Sequence, residues 1–323
     1  MSKPRVIITR KWPEAAEAEA SKLFDVQLNK DDHPMTVAEL QDALRTADAV
    51  CPTVSDNISA EVLSAQPLKC KILGNFGVGF NHIDLNAAKE RGIIVTNTPD
   101  VLTDCTADIA MTLMFMVARR AGEGERHVRN REWTGWRPTH MIGTKVTGKT
   151  LGLIGMGRIA RAMAHKAHHG FDMKIIFNDP YPPPKEIIDN LKAESRNTIE
   201  EVLQEADFVS LHCPGGKETY HLINKERLAL MKPGAFLINS ARGDVIDPKA
   251  LINALKNGSI AGAGMDVYEG EPKVQEEFLT MNNVVLFPHL GSASMETRVA
   301  MGMRAIENVN AYFNGEKPRD RVV

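Results

Sequence analysis

The feature that most constrains the fold is a glycine-rich turn in the middle of the chain, Gly155-Met156-Gly157-Arg158-Ile159-Ala160. It follows an apolar run, Thr150 to Ile154, that is typical of a buried strand, and it leads into a helical pattern. In a dinucleotide-binding turn the first glycine allows the tight turn and the second lets the backbone approach a pyrophosphate. A small third residue then lets the helix pack on the sheet. Gly155, Gly157 and Ala160 meet these requirements, so the segment predicts phosphate binding at a helix N-terminus.

Asp179 supports this interpretation. It follows the next apolar run, Lys174 to Phe177, and lies 22 residues after Gly157, where an acidic side chain can accept hydrogen bonds from the adenosine ribose. Asn178-Asp179-Pro180 is also a sequence typical of ordinary turns, so Asp179 alone does not indicate a dinucleotide site. Strand, glycines, helix and acid occur in the required order, which predicts an NAD site. Because the carboxylate would repel the 2′-phosphate of NADPH, we expect NADH to be preferred.

Composition argues against other classes of partner. The chain carries 39 Lys and Arg against 41 Asp and Glu, which gives no electrostatic reason to expect nucleic acid or an anionic membrane. Its four cysteines lack C-x-x-C spacing, which argues against a structural zinc site and a disulfide-stapled secreted domain. The longest apolar run, Ile109 to Ala118, is about half of the ~20 residues that a membrane span requires. Arg5 to Thr9 has the pattern of a strand, which leaves no room before it for a signal peptide. We therefore expect a cytoplasmic protein with a small-molecule partner.

Two blocks of β/α alternation predict an α/β fold with parallel sheets. The first block covers residues 5 to 95, and the second runs from Thr150 to Phe287 after a long helical pattern, Leu102 to about Ala121. Beyond His289 there is one further helix, Met295 to Asn314, which would pack on the first block. We predict two Rossmann-like lobes with doubly wound sheets: residues 1–100 with 291–323, and residues 101–290, with a ligand cleft between them.

Three later segments, each after a strand of the second block, carry an Arg, a Glu and a His. They are Asn239-Ser240-Ala241-Arg242-Gly243, Asp266-Val267-Tyr268-Glu269-Gly270-Glu271-Pro272 and Pro288-His289-Leu290-Gly291-Ser292-Ala293. Ligands bind at the carboxyl ends of parallel strands, and these side chains suit the reduction of a 2-keto acid. Arg242 can hold the carboxylate and keto oxygen with its planar fork. His289 can donate a proton to the carbonyl oxygen as hydride arrives, and Glu271 can stabilise the protonated ring and fix its orientation. Alone, each has an ordinary structural explanation: a surface cation, an exposed acid, a buried histidine.

In this order downstream of G-L-I-G-M-G-R-I-A, the motifs N-S-A-R-G, D-V-Y-E-G-E-P and P-H-L-G-S resemble those of the D-isomer-specific 2-hydroxyacid dehydrogenase family, over essentially the whole chain. The resemblance implies that Arg242, Glu271 and His289 are catalytic. It also implies a split substrate domain, residues 1–100 and 291–323, around a central NAD-binding domain, residues 101–290.

Two further segments resemble parts of this family. Gly74-Asn75-Phe76-Gly77-Val78-Gly79-Phe80-Asn81-His82-Ile83-Asp84 resembles the substrate loop, in which the N–H groups of Val78 and Gly79 would bind the carboxylate. Glycine-flanked amides form such anion-binding nests. Thr98-Pro99-Asp100-Val101-Leu102-Thr103-Asp104-Cys105-Thr106-Ala107-Asp108 is similar to the glyoxylate and hydroxypyruvate reductase branch, in which Thr106 contacts the cofactor.

The remaining candidate contacts follow from the turn and the resemblance together. The predicted cofactor contacts are Thr106, Gly155, Gly157, Arg158, Ile159, Asp179, Cys213, Thr219, Ala241, Asp266 and Gly291. In similar reductases the segment with Trp133 and Trp136 helps to form a dimer, so we expect a homodimer with Trp136 as a candidate substrate contact. His165, His168 and His169 have a spacing that could bind a metal, but no carboxylate or Cys lies nearby. We expect no metal there and a solvated helix face.

We therefore expect an NADH-dependent reductase of a small 2-keto acid, of the glyoxylate or hydroxypyruvate type, that forms the D-2-hydroxy acid. A D-lactate or aromatic 2-keto acid dehydrogenase is the alternative within enzymes. Formate dehydrogenase is less similar, because it carries Gln where Glu271 stands here. From another class, NAD(H)-sensing corepressors share the fold and the Arg, Glu and His, but they usually carry long extensions that this sequence lacks.

Overall fold

A computed structural model of the chain describes residues 3–323. Its strands are β1 (Arg5–Ile8), β2 (Asp25–Leu28), β3 (Ala49–Cys51), β4 (Ile72–Gly74), β5 (Ile94–Thr96), β6 (Thr150–Ile154), β7 (Lys174–Asn178), β8 (Glu194–Ser195), β9 (Phe208–Leu211), β10 (Phe236–Asn239), β11 (Gly262–Met265) and β12 (Val284–Leu286). Its α-helices are α1 (Glu14–Leu23), α2 (Val37–Thr46), α3 (Ala60–Leu63), α4 (Leu85–Glu90), α5 (Thr103–Ala118), α6 (Ala121–Arg129), α7 (Arg158–Phe171), α8 (Lys185–Asn190), α9 (Ile199–Glu205), α10 (Lys225–Leu228), α11 (Pro248–Lys256), α12 (Glu276–Leu279) and α13 (Met295–Phe313). None of the helices found in residues 3–323 is long and apolar enough to cross a membrane.

The chain forms two compact units, each with its own sheet. The first unit comprises the chain up to Leu102 together with Ser292–Val323, and the second comprises Thr103–Gly291. The division between the units lies two residues beyond the predicted boundary at residue 100 and one residue beyond that at residue 290.

The first unit is built on a parallel five-stranded sheet in the order β2-β1-β3-β4-β5. Apolar side chains from the strands and from α2 form its core, among them Ile7, Leu44 and Leu73. Thr36 begins α2 with a capping box, since its side chain accepts from the N–H of Glu39 while the Glu39 side chain returns to the N–H of Thr36. Beyond α13 the chain pairs with β5 in an antiparallel bridge between Thr96 and Arg321.

The second unit is built on a parallel seven-stranded sheet in the order β12-β11-β10-β9-β6-β7-β8. From β6 the chain proceeds outward through β7 and β8, then returns to place β9 on the other side of β6. The strand order therefore reverses at β6, and in open α/β sheets ligands bind outside the strand ends at such a point. Both sheets are doubly wound, which confirms the predicted α/β class.

The predicted long helix from Leu102 to about Ala121 is shorter in the structure. It ends at Ala118, and a second helix begins at Ala121 after Arg120, whose φ of 52° lies in the left-handed region. A left-handed residue reverses the local backbone, so one continuous helix cannot pass through this position. The second helix, α6, continues to Arg129, beyond the predicted helical pattern.

Candidate active site

The glycine-rich turn has the backbone that a dinucleotide site requires. Gly155 has a φ of 91°, and a Cβ placed there would lie 2.9 Å from the carbonyl carbon of His212. Gly157 is the N-cap of α7, and a Cβ placed there would meet no atom within 4 Å. Ala160, in the first turn of α7, is fully buried. The turn therefore leaves open space in front of a helix N-terminus, which fits a pyrophosphate. Arg158 and Ile159, which we predict to contact the cofactor, are the first two residues of that helix.

Asp179 stands one residue beyond the end of β7, and backbone N–H groups hold its carboxylate. The N–H of Met156 donates to Oδ2 (2.6 Å) and the N–H of Tyr181 donates to Oδ1 (2.7 Å). The first of these bonds ties the acid to the glycine-rich turn itself. The backbone of Arg196 adjoins β7, since its carbonyl accepts from Nδ2 of Asn178 (3.0 Å), and its guanidinium is bound to Glu205 at 2.8 and 2.7 Å and to Glu194 at 3.0 Å. This cation is therefore already paired.

The loop after β9 contains two predicted cofactor contacts, Cys213 and Thr219. The backbone N of Cys213 lies 3.1 Å from a Cβ built on Gly155, so this residue adjoins the turn. Burial raises the pKa of the Cys213 thiol to about 11, which keeps it protonated and unreactive near neutral pH. The Thr219 hydroxyl donates to the carbonyl of Pro214 (2.6 Å) and closes the loop.

Asp266 organises the segment that carries His289. The Asp266 side chain is fully buried, and its two oxygens accept from the N–H of Leu290 (2.6 Å) and of Gly291 (2.8 Å). The backbone carbonyl of Asp266 also accepts from the N–H of His289 (2.9 Å). Burial raises the pKa of Asp266, although these N–H groups and His289 act in the opposite direction. Thr106 belongs to the same cluster, because its Cγ2 and an oxygen of Asp266 each lie 3.3 Å from a Cβ built on Gly291.

His289 and Glu271 form a hydrogen-bonded pair. Nδ1 of His289 lies 2.8 Å from Oε2 of Glu271, and the N–H of Tyr268 donates to the other carboxylate oxygen (2.9 Å). Burial alone would raise the pKa of Glu271, but His289, the Tyr268 N–H and the charge of Arg242 outweigh it and hold that pKa below its ordinary value. His289 has a φ of 56°, a conformation that costs an L-residue roughly 1–2 kcal/mol. Backbone hydrogen bonds to Asp266 hold this conformation. Because Nδ1 faces Glu271, Nε2 is the ring nitrogen that can exchange a proton with a ligand.

Arg242 extends from a turn that the Asn239 side chain shapes. Nδ2 of Asn239 donates to the carbonyl of Arg242 (2.8 Å), while its Oδ1 accepts from the N–H of Ala241 (3.0 Å). The guanidinium donates to the carbonyl of Ala241 (2.6 Å). Burial lowers the pKa of Arg242, and the charges of Glu271 and Asp244 oppose that shift. The guanidinium remains cationic, because an arginine in a protein keeps its proton.

The turn that carries Arg242 touches the turn that carries Glu271 through their backbones. A Cβ at Gly243 would overlap the carbonyl carbon and oxygen of Tyr268 and the nitrogen of Glu269. Only a glycine therefore allows the two turns to meet. Tyr268 is fixed in turn by its hydroxyl, which donates to the carbonyl of Phe287 (2.8 Å). Gly243, Asn239 and Tyr268 are site residues that sequence reasoning missed, because their roles depend on contacts between separate turns.

Val78 and Gly79 lie in the first unit, in the loop that follows β4. The carbonyls of Gly77 and Gly79 accept from Nδ2 of Asn75 (both 3.0 Å), and the carbonyl of Val78 accepts from Nδ2 of Asn97 (2.9 Å). Within residues 3–323, no hydrogen bond has the N–H of Val78 or Gly79 as its donor. The loop is thus anchored by its carbonyls, which suits an anion-binding role for its amides.

Trp136 and the histidines of α7 lie on the surface of the second unit. Trp136 is 81% exposed and lies in the irregular stretch between α6 and β6, so a substrate contact from it stays a prediction. The rings of His165 and His169 lie 4.5 Å apart, and those of His168 and His169 lie 4.9 Å apart. Within the described part of the chain, no group of three His, Cys, Asp or Glu side chains has an arrangement that could hold a metal ion.

Comparison with known proteins gives matches over the full length. The family described as D-isomer specific 2-hydroxyacid dehydrogenase, NAD binding domain, matches residues 111–291. A glyoxylate reductase of Thermococcus onnurineus (strain NA1) is 44% identical over 320 residues, which cover 98% of this chain and 95% of the relative. Among solved structures, the TT0316 protein of Thermus thermophilus has a TM-score of 0.91 at 40% identity, covering 99% of this chain and 100% of that one.

A further solved structure, an NADPH-dependent glyoxylate/hydroxypyruvate reductase of Sinorhizobium meliloti in complex with NADP and malonate, has a TM-score of 0.88. It is 31% identical and covers 100% of this chain and 97% of that one. The resemblance recognised in the motifs is therefore confirmed. With its NAD-binding domain matched and its relatives aligned from end to end, this chain belongs to the D-isomer-specific 2-hydroxyacid dehydrogenase family.

Proposed function

We propose that this dehydrogenase reduces a small 2-keto acid of the glyoxylate or hydroxypyruvate type to the D-2-hydroxy acid, with NADH as reductant. The observation that carries the proposal is the His289 and Glu271 pair, which adjoins the turn of Arg242 in the NAD-binding domain. The relatives named glyoxylate reductase favour this substrate class over lactate-type or aromatic keto acids.

Binding of the acid would use two kinds of donor. The N–H groups of Val78 and Gly79 would bind the carboxylate, and the guanidinium of Arg242 would bridge the carboxylate and the keto oxygen. Arg242 suits this task because its turn is fixed by Asn239 and because partial burial strengthens its interaction with an anion. The keto carbon would then be held in one orientation for reduction.

When bound, the reduced nicotinamide supplies the hydride that the keto carbon accepts. Nε2 of His289 would donate a proton to the keto oxygen as negative charge develops there. Glu271, which is ionised through the neutral range because its pKa lies below the ordinary value, would stabilise the protonated ring before transfer. The same residues would run the reverse reaction, with His289 as the base.

Residues around the glycine-rich turn would hold the cofactor. Gly155 and Gly157 with the start of α7 would bind the pyrophosphate, and Asp179 would accept hydrogen bonds from the adenosine ribose. A preference for NADH would rest on the carboxylate of Asp179. Arg196, whose backbone adjoins Asn178, is paired with Glu205 and Glu194, so its charge is already neutralised. The similar reductase of Sinorhizobium meliloti is NADPH-dependent, so the choice of cofactor would depend on residues such as Asp179 and not on the fold alone.

We also propose that the protein acts as a homodimer. Exposed apolar side chains gather on α6 and the irregular stretch after it, namely Val128, Trp133, Trp136 and Ile142. A second copy would cover them and would bring Trp136 to its neighbour. Light scattering after gel filtration should give twice the 35.6 kDa mass of the chain. A monomer at micromolar concentration would contradict the proposal.

The proposed activity is tested by NADH oxidation with purified protein. Glyoxylate, hydroxypyruvate, pyruvate and phenylpyruvate are compared with NADH and with NADPH, and the product of hydroxypyruvate is assigned by chiral chromatography. We expect glyoxylate or hydroxypyruvate with NADH to give the highest kcat/KM and D-glycerate as the product. No reduction of any keto acid, with NADH binding retained, would favour an NAD(H)-sensing protein instead.

A further inference from the structure

The loop of Val78 and Gly79 owes its shape to hydrogen bonds received by three consecutive carbonyls. The carbonyl of Gly77 accepts from the N–H of Thr98 and from Nδ2 of Asn75, both at 3.0 Å. The carbonyl of Val78 accepts from Nδ2 of Asn97 (2.9 Å). All of these donors lie within the first unit.

The geometry of the peptide bond links each carbonyl to the next N–H. A trans peptide is planar, and its C=O and N–H point in opposite directions. A donor that holds the carbonyl of Val78 therefore sets the direction of the N–H of Gly79. In the same way, the donors on the carbonyl of Gly77 set the direction of the N–H of Val78. Asn97 thus orients one of the two amides without touching the space that they face.

Asn97 is itself held on its backbone by two residues from the far end of the chain. Its N–H donates to the carbonyl of Asp320 (3.2 Å), and its carbonyl accepts from Nδ2 of Asn308 (3.3 Å). Asn308 lies on α13 and is 2% exposed. The same Nδ2 donates to the carboxylate of Asp320 (3.0 Å), and the N–H of Asp320 donates back to Oδ1 of Asn308 (3.1 Å).

The segment around Asp320 is firmly attached. The Asp320 carboxylate lies 3.2 Å from Nε of Arg304, and both side chains are largely buried. On the other side, Arg321 pairs with Thr96, and the N–H of Val322 donates to the carbonyl of Val95 (2.7 Å). A continuous path of hydrogen bonds therefore runs from Asp320 through Asn308 and Asn97 to the carbonyl of Val78.

We infer that Asn97 is a positioning residue for the carboxylate of the substrate and that Asp320 and Asn308 position Asn97. The inference rests on the proposed function, in which the N–H groups of Val78 and Gly79 bind that carboxylate. The segment beyond α13 thereby takes part in substrate recognition through the backbone. Because these residues aim an amide and do not join in proton or hydride transfer, their loss should raise KM for the keto acid more than it lowers kcat.

The main test is Asn97→Asp, which keeps the size of the side chain but removes its donor and sets a carboxylate against the carbonyl of Val78. We expect KM for glyoxylate to rise about tenfold, which corresponds to about 1.4 kcal/mol, because the N–H of Gly79 would no longer be held toward the charged carboxylate that it binds. KM for NADH should stay unchanged, since the NAD-binding domain is the other unit, and Tm should fall only slightly.

Three variants at the far end of the path complete the test. Asp320→Ala removes one of the acceptors of Nδ2 of Asn308 and should raise KM for glyoxylate, as Asn97→Asp does. Asp320→Asn keeps an oxygen for Asn308 and should restore most of the affinity for glyoxylate. Arg319→Ala, at an exposed neighbouring position, is the matched control and should behave as the parent protein does.

The outcomes separate the inference from the proposed function. If the parent protein reduces glyoxylate and Asn97→Asp leaves KM unchanged, the inference is wrong and the proposed function stands. If KM for glyoxylate and for NADH rise together with a large drop in Tm, Asn97 is merely structural and the inference is again wrong. Failure of the parent protein to reduce any keto acid would instead overturn the proposed function. If Asp320→Ala does not fold, the KM values of the single variants Asn97→Asp and Asp320→Asn decide whether the inference holds.

Discussion

Nδ1 of His289 and Oε2 of Glu271 lie 2.8 Å apart, although 18 residues separate them in the sequence. Each partner is fixed independently: the N–H of Tyr268 holds Glu271, and Asp266 holds the backbone around His289. The imidazole therefore has one orientation before any substrate arrives, which is the preorganisation that general acid catalysis requires.

His289→Ala should lower kcat for glyoxylate reduction by ~10²–10⁴-fold, because general acid assistance is felt in the transition state. The Kd for NADH, measured by fluorescence titration, should be unchanged. His165→Ala removes an exposed histidine of α7 and is the matched control. Near-normal turnover of the His289 variant would remove this residue from the mechanism.

Glu271→Gln should shift the alkaline limb of kcat/KM for reduction to lower pH. The pKa of Glu271 is held below its ordinary value, so the carboxylate is charged throughout the neutral range and favours the protonated form of His289. Without that charge the protonated form of the proton donor is less stabilised, so reduction should fall off at lower pH. Glu269→Gln is the control, because it removes the charge of a carboxylate that is also paired with a histidine, His221 at 3.1 Å, but not with His289. An identical pH profile for both variants would show that the pair has no catalytic coupling.

Arg242→Lys should raise KM for the keto acid and lower kcat together. Lysine keeps the positive charge but cannot make two parallel hydrogen bonds, so both the binding and the orientation of the acid suffer. Steady-state kinetics over a range of glyoxylate concentrations separates the two constants. A fully active Lys variant would mean that Arg242 acts only through its charge.

Gly243→Ala should lower the stability of the protein, whereas Gly157→Ala should weaken NADH binding without lowering stability. At Gly243 the new methyl group would overlap the backbone of Tyr268, so we expect lower stability by at least the ~1–3 kcal/mol typical of overpacking, with loss of activity. At Gly157 the methyl group has free space, so the free energy of unfolding should hold while NADH binds more weakly. Urea unfolding and NADH titration of both variants check this. A Gly243 variant as stable as the parent protein would contradict the described contact.

Replacing Asp179 with Ser and Pro180 with Arg should move the cofactor preference toward NADPH. Loss of the carboxylate removes the repulsion of a 2′-phosphate, and the arginine offers it a partner. We expect the ratio of kcat/KM values to change at least tenfold, or ~1.4 kcal/mol. Asp189→Ser, at an exposed position of α8, is the control. Equal use of NADH and NADPH by the parent protein would contradict the role of Asp179.

Parts of the molecule that depend on neighbouring residues could be predicted from sequence. The β6 strand, the turn at Gly155 and helix α7 occupy the predicted places, because apolar spacing and glycine positions determine them locally. The strands β2 and β8 lie at the sheet edges, and their residues are largely exposed. β8 has only two residues, and the polar–apolar alternation of β2 covers only four, so neither is long enough to stand out as a strand in the sequence.

The contacts that fix the site geometry were beyond the reach of sequence patterns. Gly243 is one glycine among 24 in the sequence, and nothing near it indicates that the backbone of Tyr268 will meet it. Asn97 and Asn308 are likewise ordinary polar residues until the fold places them together. Such roles arise from packing between segments that are distant in the chain, which a local pattern does not encode.

The anchored carbonyls of the loop after β4 also bear on how substrate range can be redesigned. If main-chain amides recognise the acid group, then replacing the side chain at Val78 leaves that recognition in place. Substitutions at this position would change the side chain while the main-chain groups that bind the carboxylate stay the same. Diversification of this kind needs no compensating mutation at Asn75 or Asn97, whose amides hold the loop from behind.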